Sequence, residues 1–204
     1  MPTPAPTPLP AAFYARDTAT VARELLGCRI IRRWRQELLI GRIVETEAYY
    51  GPGDPASRAA SGKRNKLNGP MWEAPGTILV YMVHSNWLFN ITTERDGVPA
   101  AVLIRAVEPQ AGLKYMLRAR QRRNPTIASP RELTSGPGKF TQAFYLNQKL
   151  NYATVTNRAS IWVAAGDGDK LDIAASHRIG VTRDVTRQLR FYLRRNPFVS
   201  KGKP

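Results

Sequence analysis

Apolar residues recur along this chain in two rhythms. Residues 18–26 (TATVARELL) have helical spacing and stop at Gly27, which predicts a short helix. From Cys28 the rhythm shortens to two. CRIIRRW and LLIGRIVETEAYY alternate, are rich in β-branched residues and predict two strands. TILVYMV (77–83) and WLFNITT (87–93) predict two more, joined by the turn His84-Ser85-Asn86. ERDG (94–97) is a second hairpin signal and leads into VPAAVLIRAVEP, a further strand. Consecutive strands with short turns imply a largely antiparallel sheet. Residues 110–123 predict a helix with a strongly basic end, and residues 135–147 a helix with a glycine-rich entry, SGPGK. SIWVAA, RIGV and LRFYL predict three short strands near the end. The fold class is α+β.

Between the second and third strands, residues 51–76 are rich in Gly, Pro, Asn and Ser, and predict a loop long enough to be functional or disordered. MPTPAPTPLP opens the chain without the charged and apolar regions of a secretory signal; residues 1–12 read as a flexible Pro-rich arm before one domain over 13–204. No repeat or later linker divides that domain.

Composition narrows the partner. With 31 Lys+Arg against 15 Asp+Glu, the net charge is +16. That excess favours a polyanion, with nucleic acid ahead of a membrane surface. No apolar run approaches the roughly 20 residues of a transmembrane helix. The single cysteine, Cys28, allows no internal disulfide, fits a reducing compartment and reads as a small buried apolar filler. Residence in the cytoplasm or nucleoid of a prokaryote, or in a eukaryotic nucleus, follows; secretion does not.

The candidate chemistry begins in VETEAYY. On a strand, Glu45, Glu47 and Tyr49 share a face, opposite Val44, Thr46 and Ala48. Two carboxylates on one buried face need a cation, and Arg105 in the apolar LIRAVEP strand is the candidate. Two readings stand: a structural Glu–Arg pair, or a carboxylate poised as a general base and held by an arginine. Tyr49, Tyr50, Trp72, Tyr81, Trp87 and Phe89 are either core or a platform for unstacked bases. The basic loop GKRNKLN, with Lys63 and Arg64, and Lys139 in SGPGK suit phosphates. His84 and His177 lie far apart, and the metal, acyl-transfer and dinucleotide motifs HExxH, CxxC, GxSxG and GxGxxG do not occur. No metal and no cofactor is expected.

Taken together, RIVETEAYYGPGDPAS (42–57), PGTILVY (75–81), VLIRAVEP (102–109), LTSGPGKFTQA (133–143) and RFYLRRNPFVS (190–200) resemble the alkyladenine, or methylpurine, DNA glycosylases, in the family's order. The resemblance implies a curved antiparallel sheet with surrounding helices, and excision of alkylated or deaminated purines from double-stranded DNA by a monomer. It implies Glu47 as general base, with Arg105 and the backbone carbonyl of Ile179 holding the attacking water. It implies Tyr49 stacking on a flipped base, Tyr81 on the pocket's other side, Asn90 excluding normal guanine, and Lys139 near the DNA backbone. Water as nucleophile implies a monofunctional enzyme that leaves an abasic site. Glu45 is then structural, and Tyr50, on the opposite face, is packing.

Two positions depart from the family. Arg58 stands where the family packs a histidine against the flipped base. The turn His84-Ser85-Asn86 is one residue shorter than the family's Tyr-Gly-Met tip, which makes His84 the expected wedge and Asn86 the reserve. Arg58 faces either the pocket or a phosphate. A non-catalytic nucleic-acid-binding module on the same fold and an RNA-associated structural protein are the competing functions.

Overall fold

The structure, a computed structural model, describes residues 6–168 and 170–201. Helices α1 (Ala11–Tyr14) and α2 (Thr18–Glu24) precede β1 (Arg29–Trp34) and β2 (Glu37–Tyr49). Then come β3 (Ile78–Val83), β4 (Asn86–Thr92) and β5 (Ala101–Ala111). Helices α3 (Leu113–Gln121), α4 (Arg131–Thr134) and α5 (Pro137–Ala143) follow, and β6 (Ile161–Ala164), β7 (Ile173–Ser176) and β8 (Arg190–Leu193) end the order. Every strand pairing is antiparallel. The sheet runs β3-β4-β5-β2-β1-β6, and β8 joins β2 and β7. This is a single α+β domain around a curled antiparallel sheet.

β2 organises the sheet because it forks. Its first half, Glu37–Arg42, pairs with β1; Glu45–Glu47 pair with β8; β5 follows the other edge. Between Ile43 and Thr46 the β2–β5 pairing steps past Val44 on one strand and Arg105 on the other. Extra residues of this kind bend a strand and re-aim its side chains. Here they fall where the sheet changes partner.

Register then sorts the side chains. Residues directly opposite in antiparallel strands share a face. Tyr81 opposes Leu88, Asn90 opposes Leu103, and Leu103 opposes Glu47, so these residues lie on the Glu45–Glu47–Tyr49 side. The other face carries the core: Ile78, Val80, Phe89, Ile91, Val102 and Ile104 are fully or nearly fully buried. Phe89 meets Phe140 of α5 edge-on, with ring centroids 6.1 Å apart, and Phe140 packs on Phe144. Burying one such side chain contributes about 1.5–3 kcal/mol. α2 covers β2 from this side. Its N-cap Asp17 accepts the Thr20 N–H, and its Ala22 carbonyl accepts the Thr46 hydroxyl at 2.8 Å. Tyr50 also packs against the core and bonds through its hydroxyl to Asp17. Cys28 is buried.

The strand expected at RIGV does not form. Residues 178–181 run as a loop, because their backbone and the Arg178 side chain bond across the site rather than along a ladder. The last part of the sheet instead includes β7, residues 173–176 (IAAS), whose small residues made a weak strand signal. The helix expected over 135–147 is shorter: α4 ends at Thr134, and Gly136 at φ +138° separates it from α5, with Pro137 in the first turn. Of the arm expected over 1–12, residues 1–5 lie outside the described residues. Pro8 bridges Ala164, the Leu9 N–H donates to the Val163 carbonyl, and the indole of Trp162 donates to the Pro6 carbonyl. Among the described residues no helix is long and apolar enough to cross a membrane.

Candidate active site

Glu45 and Glu47 are both fully buried, on the face that alternation assigns them. Such carboxylates stay charged only if cations and donors replace water. Glu45 is saturated. It accepts from Arg105 Nε at 3.0 Å, Arg190 Nε at 2.7 Å, and the backbone N–H and hydroxyl of Ser200 at 2.7 and 2.8 Å. Two cations and two local donors on one acid describe a structural group.

Glu47 is held differently. Its Oε1 accepts the Ile179 N–H at 2.7 Å; its Oε2 accepts the Tyr49 hydroxyl at 2.7 Å and Arg105 Nη1 at 3.2 Å. The same Nη1 reaches the Ile179 carbonyl at 3.3 Å. Arg105 thus spans both acids, with a short contact to Glu45 and slack ones to Glu47 and Ile179. Burial raises the Glu47 pKa above the ordinary carboxylate value; Arg105, the Ile179 N–H and the Tyr49 hydroxyl oppose the rise, and Glu45 adds to it. An acid balanced in this way takes up a proton readily yet is supported as an anion.

Over this group lies a cavity of about 820 Å³. Tyr49, Leu103, Arg105 and Ile179 line it, with the Glu47 carboxylate just beneath them. Tyr81, Arg58, Lys139 and the tip residues His84 and Asn86 complete the wall. The Arg58 guanidinium sits 4.7 Å from the Tyr81 ring centroid, facing the cavity. Lys139 is exposed on this wall; desolvation and then Arg120 push its ammonium below the ordinary lysine value, against the pull of Glu132.

The β3–β4 hairpin turns in two residues, since Val83 pairs with Asn86. His84 and Ser85 have φ of 45° and 61°, the left-handed pair of a type I′ turn, without glycine at either position. Their exposed tip is braced where Arg123 donates to the Ser85 carbonyl. Asn86 is committed elsewhere: its amide donates to the His84 carbonyl and its side chain lies against Gly138, where a Cβ would come within 2.7 Å.

Besides Glu47 beneath it, three expected residues lie away from the cavity wall. Asn90 shares the site face but is buried, with its amide donating to the Leu79 and Leu88 carbonyls. Arg64 pairs with Glu73, and Lys63 is exposed nearby in the long loop. The sequence reading missed the side chains that hold the site: Arg178, Asp54, Asp184, Arg190 and Ser200. Arg190 and Ser200 lie in a motif already noted, RFYLRRNPFVS, where alternation alone assigns no role. Asp54 in GPGDP is a turn residue by its neighbours, and its partner is 124 residues away. Among the described residues no group of three or more His, Cys, Asp or Glu is placed to hold a metal ion.

A curled sheet thus carries a buried acid and an arginine under a cavity that Tyr49 and Tyr81 line, on a basic protein, and similarity to known proteins gives this arrangement its class. A family profile described as methylpurine-DNA glycosylase matches residues 12–197. Curated proteins named "Putative 3-methyladenine DNA glycosylase" are similar along nearly their whole length. That of Carboxydothermus hydrogenoformans is 40% identical, covering 95% of this chain and 98% of its own. That of Salinibacter ruber is 39% identical, covering 97% and 98%, and that of Methanocella arvoryzae 40%, covering 96% and 97%. The chain belongs to the methylpurine-DNA glycosylase family. It is accordingly a hydrolase of N-glycosyl bonds in DNA repair.

The contacts of Glu47 make one prediction independent of turnover. In a ¹³C NMR titration its carboxyl titrates above the ordinary carboxylate value, because burial favours the neutral form. Tyr49→Phe removes a donor that supports the anion, so the titration moves higher still. A downward move contradicts this account of the site.

Proposed function

We propose that the protein extrudes a damaged purine from duplex DNA into the cavity and hydrolyses its N-glycosyl bond with water activated by Glu47. The observation that carries this reading is the convergence of Glu47, Arg105 and Ile179 beneath Tyr49. A base in a duplex is unreachable, so it must leave the stack. Tyr49 and Tyr81 offer aromatic surfaces to the extruded base. A water between Glu47 and the Ile179 carbonyl, steadied by Arg105, attacks the sugar C1′. The bond to the purine breaks with its electrons on the base, and the water's proton passes to Glu47. Burial favours the protonated carboxyl that results. The product is an abasic site. An N-alkylated purine carries positive charge and leaves most readily, in keeping with the lesion in the relatives' name.

Lys139 on the cavity wall is the amine for a competing route, a covalent Schiff base with strand cleavage. Glu47 already supplies a base for water, and the monofunctional reading is preferred. Lys63, Arg64 and Lys139 are assigned to DNA phosphates, and the +16 charge fits that partner. Asn90, under the cavity and bonded to backbone carbonyls, is assigned to shaping the pocket against normal guanine.

Glu47→Gln tests the mechanism. It removes the base without changing volume, and release from a 3-methyladenine duplex falls by at least about 100-fold, the scale of general-base catalysis, while duplex binding persists. Borohydride traps no adduct with the wild type. Full activity in Glu47→Gln, or a trapped lysine adduct, defeats the water mechanism. A wild type that binds DNA but releases no base from duplexes carrying 3-methyladenine, 7-methylguanine, ethenoadenine or hypoxanthine favours the binding-module reading.

Arg58 bears on lesion choice. A guanidinium beside Tyr81 stacks on a base and donates hydrogen bonds, yet repels one that is already cationic. Arg58→His therefore shifts single-turnover rates toward 3-methyladenine relative to hypoxanthine. An unchanged ratio returns Arg58 to a phosphate-facing role.

His84, exposed at the braced tip, is assigned to the space the base vacates. With 2-aminopurine beside the lesion, His84→Ala lowers the fluorescence gained on binding. No change moves the role to Asn86.

A further inference from the structure

Outside the Glu45–Glu47–Arg105 group, Arg178 and Asp54 form another buried ion pair. The Arg178 side chain has no exposed surface, and all five of its N–H donors are used. Nη1 donates to Asp54 at 2.7 Å and to the Ala48 carbonyl at 3.0 Å. Nη2 donates to Asp54 at 2.7 Å and Asp184 at 2.6 Å, and Nε to Asp184 at 2.9 Å. These acceptors come from the end of β2, the loop after it, and the loop that follows Arg178. A buried guanidinium with two carboxylates and complete donor satisfaction fixes one geometry of three separate segments. Burial raises the Asp184 pKa, but the bonds from Arg178 outweigh it and hold the carboxyl below its usual range.

The neighbours of this junction give it a role beyond anchoring. The guanidinium carbon lies 4.6 Å from the Tyr49 ring centroid. The next residue is Ile179, whose N–H bonds Glu47 and whose carbonyl receives Arg105. Asp54 also accepts the Tyr50 N–H at 2.9 Å and so fixes the backbone just past Tyr49. One side chain therefore sets the orientation of the Tyr49 ring and the position of both Ile179 backbone groups. Its side chain is buried outside the cavity lining, behind Tyr49 and Ile179.

We infer that Arg178 is a positioning residue, clamped by Asp54 and Asp184, that acts on base release through Tyr49 and Ile179. The catalytic half of this inference rests on the glycosylase reading; the mechanical half does not.

Hydrogen exchange on the full-length protein reads the mechanical half. In Arg178→Met, segments 51–60 and 177–185 lose protection together while β3, β4 and β5 keep theirs. Kinetics read the other half. Single-turnover release falls about 100-fold, the penalty for misplaced catalytic groups, with duplex affinity little changed. Combined with Tyr49→Ala, the losses fall short of multiplying, because both substitutions disturb one unit. Asp54→Asn, which loosens one arm only, gives a smaller loss in the same direction and serves if Arg178→Met melts below the assay temperature. Unchanged exchange, unchanged release despite looser loops, or losses that multiply fully would overturn the inference. If both loops loosen but the wild type releases no base, the clamp stands and the glycosylase reading fails.

Discussion

Everything in this site depends on how two buried carboxylates on one strand face are kept from repelling each other. Arg105 supplies the answer from the neighbouring strand: its Nε bonds Glu45 and its Nη1 bonds Glu47. Charges removed from water cost several kcal/mol each unless paired and hydrogen-bonded, and stripping one partner from such a pair costs about 3–5 kcal/mol. Arg190 and Ser200 complete the shell of Glu45, so that acid is fixed. Glu47 receives one short backbone donor, one phenol and the longer reach of Arg105. The two acids are two residues apart, and the inequality of their partners separates their roles.

The site is built in two layers of different character. Its floor is sheet: β2 and β5 bend where their register slips, and the bend carries Arg105 to both acids. Its rim is loop and turn, comprising residues 51–60, the His84–Ser85 tip and residues 177–185. A sheet floor suits groups that must align with a reacting atom, and loops that are pinned by side chains can carry the remaining wall. Arg178 joins the layers, since it bonds the end of β2 and both flanking loops.

The floor was legible in the sequence and most of the rim was not. Alternation over VETEAYY placed Glu45, Glu47 and Tyr49 together, and an arginine within an apolar strand announced a buried acid. Both arguments use residues near in sequence or a single unusual burial. The resemblance singled out Ile179, whereas periodicity made RIGV a strand. β-branched residues look alike in a ladder and in a loop pinned by side chains. Its true partners are Asp54, 124 residues away, and Glu47, 132 residues away. Arg58 was legible as an anomaly, and its position against Tyr81 needed coordinates. Asn90 was placed on the correct strand, yet register and burial put it beneath the pocket, away from its wall.

The partners of Glu45 also bear on the order in which a ribosome can complete the enzyme. Arg105, Arg190 and Ser200 lie 60, 145 and 155 residues along the chain from it. Synthesis therefore delivers the central strand well before Arg190 and Ser200. Until β8 and Ser200 emerge, Glu45–Glu47 of β2 lack the strand that pairs them opposite β5, and Glu45 lacks its bonds from Arg190 and Ser200. The shell around this buried acid can therefore close only once the chain through Ser200 has been made.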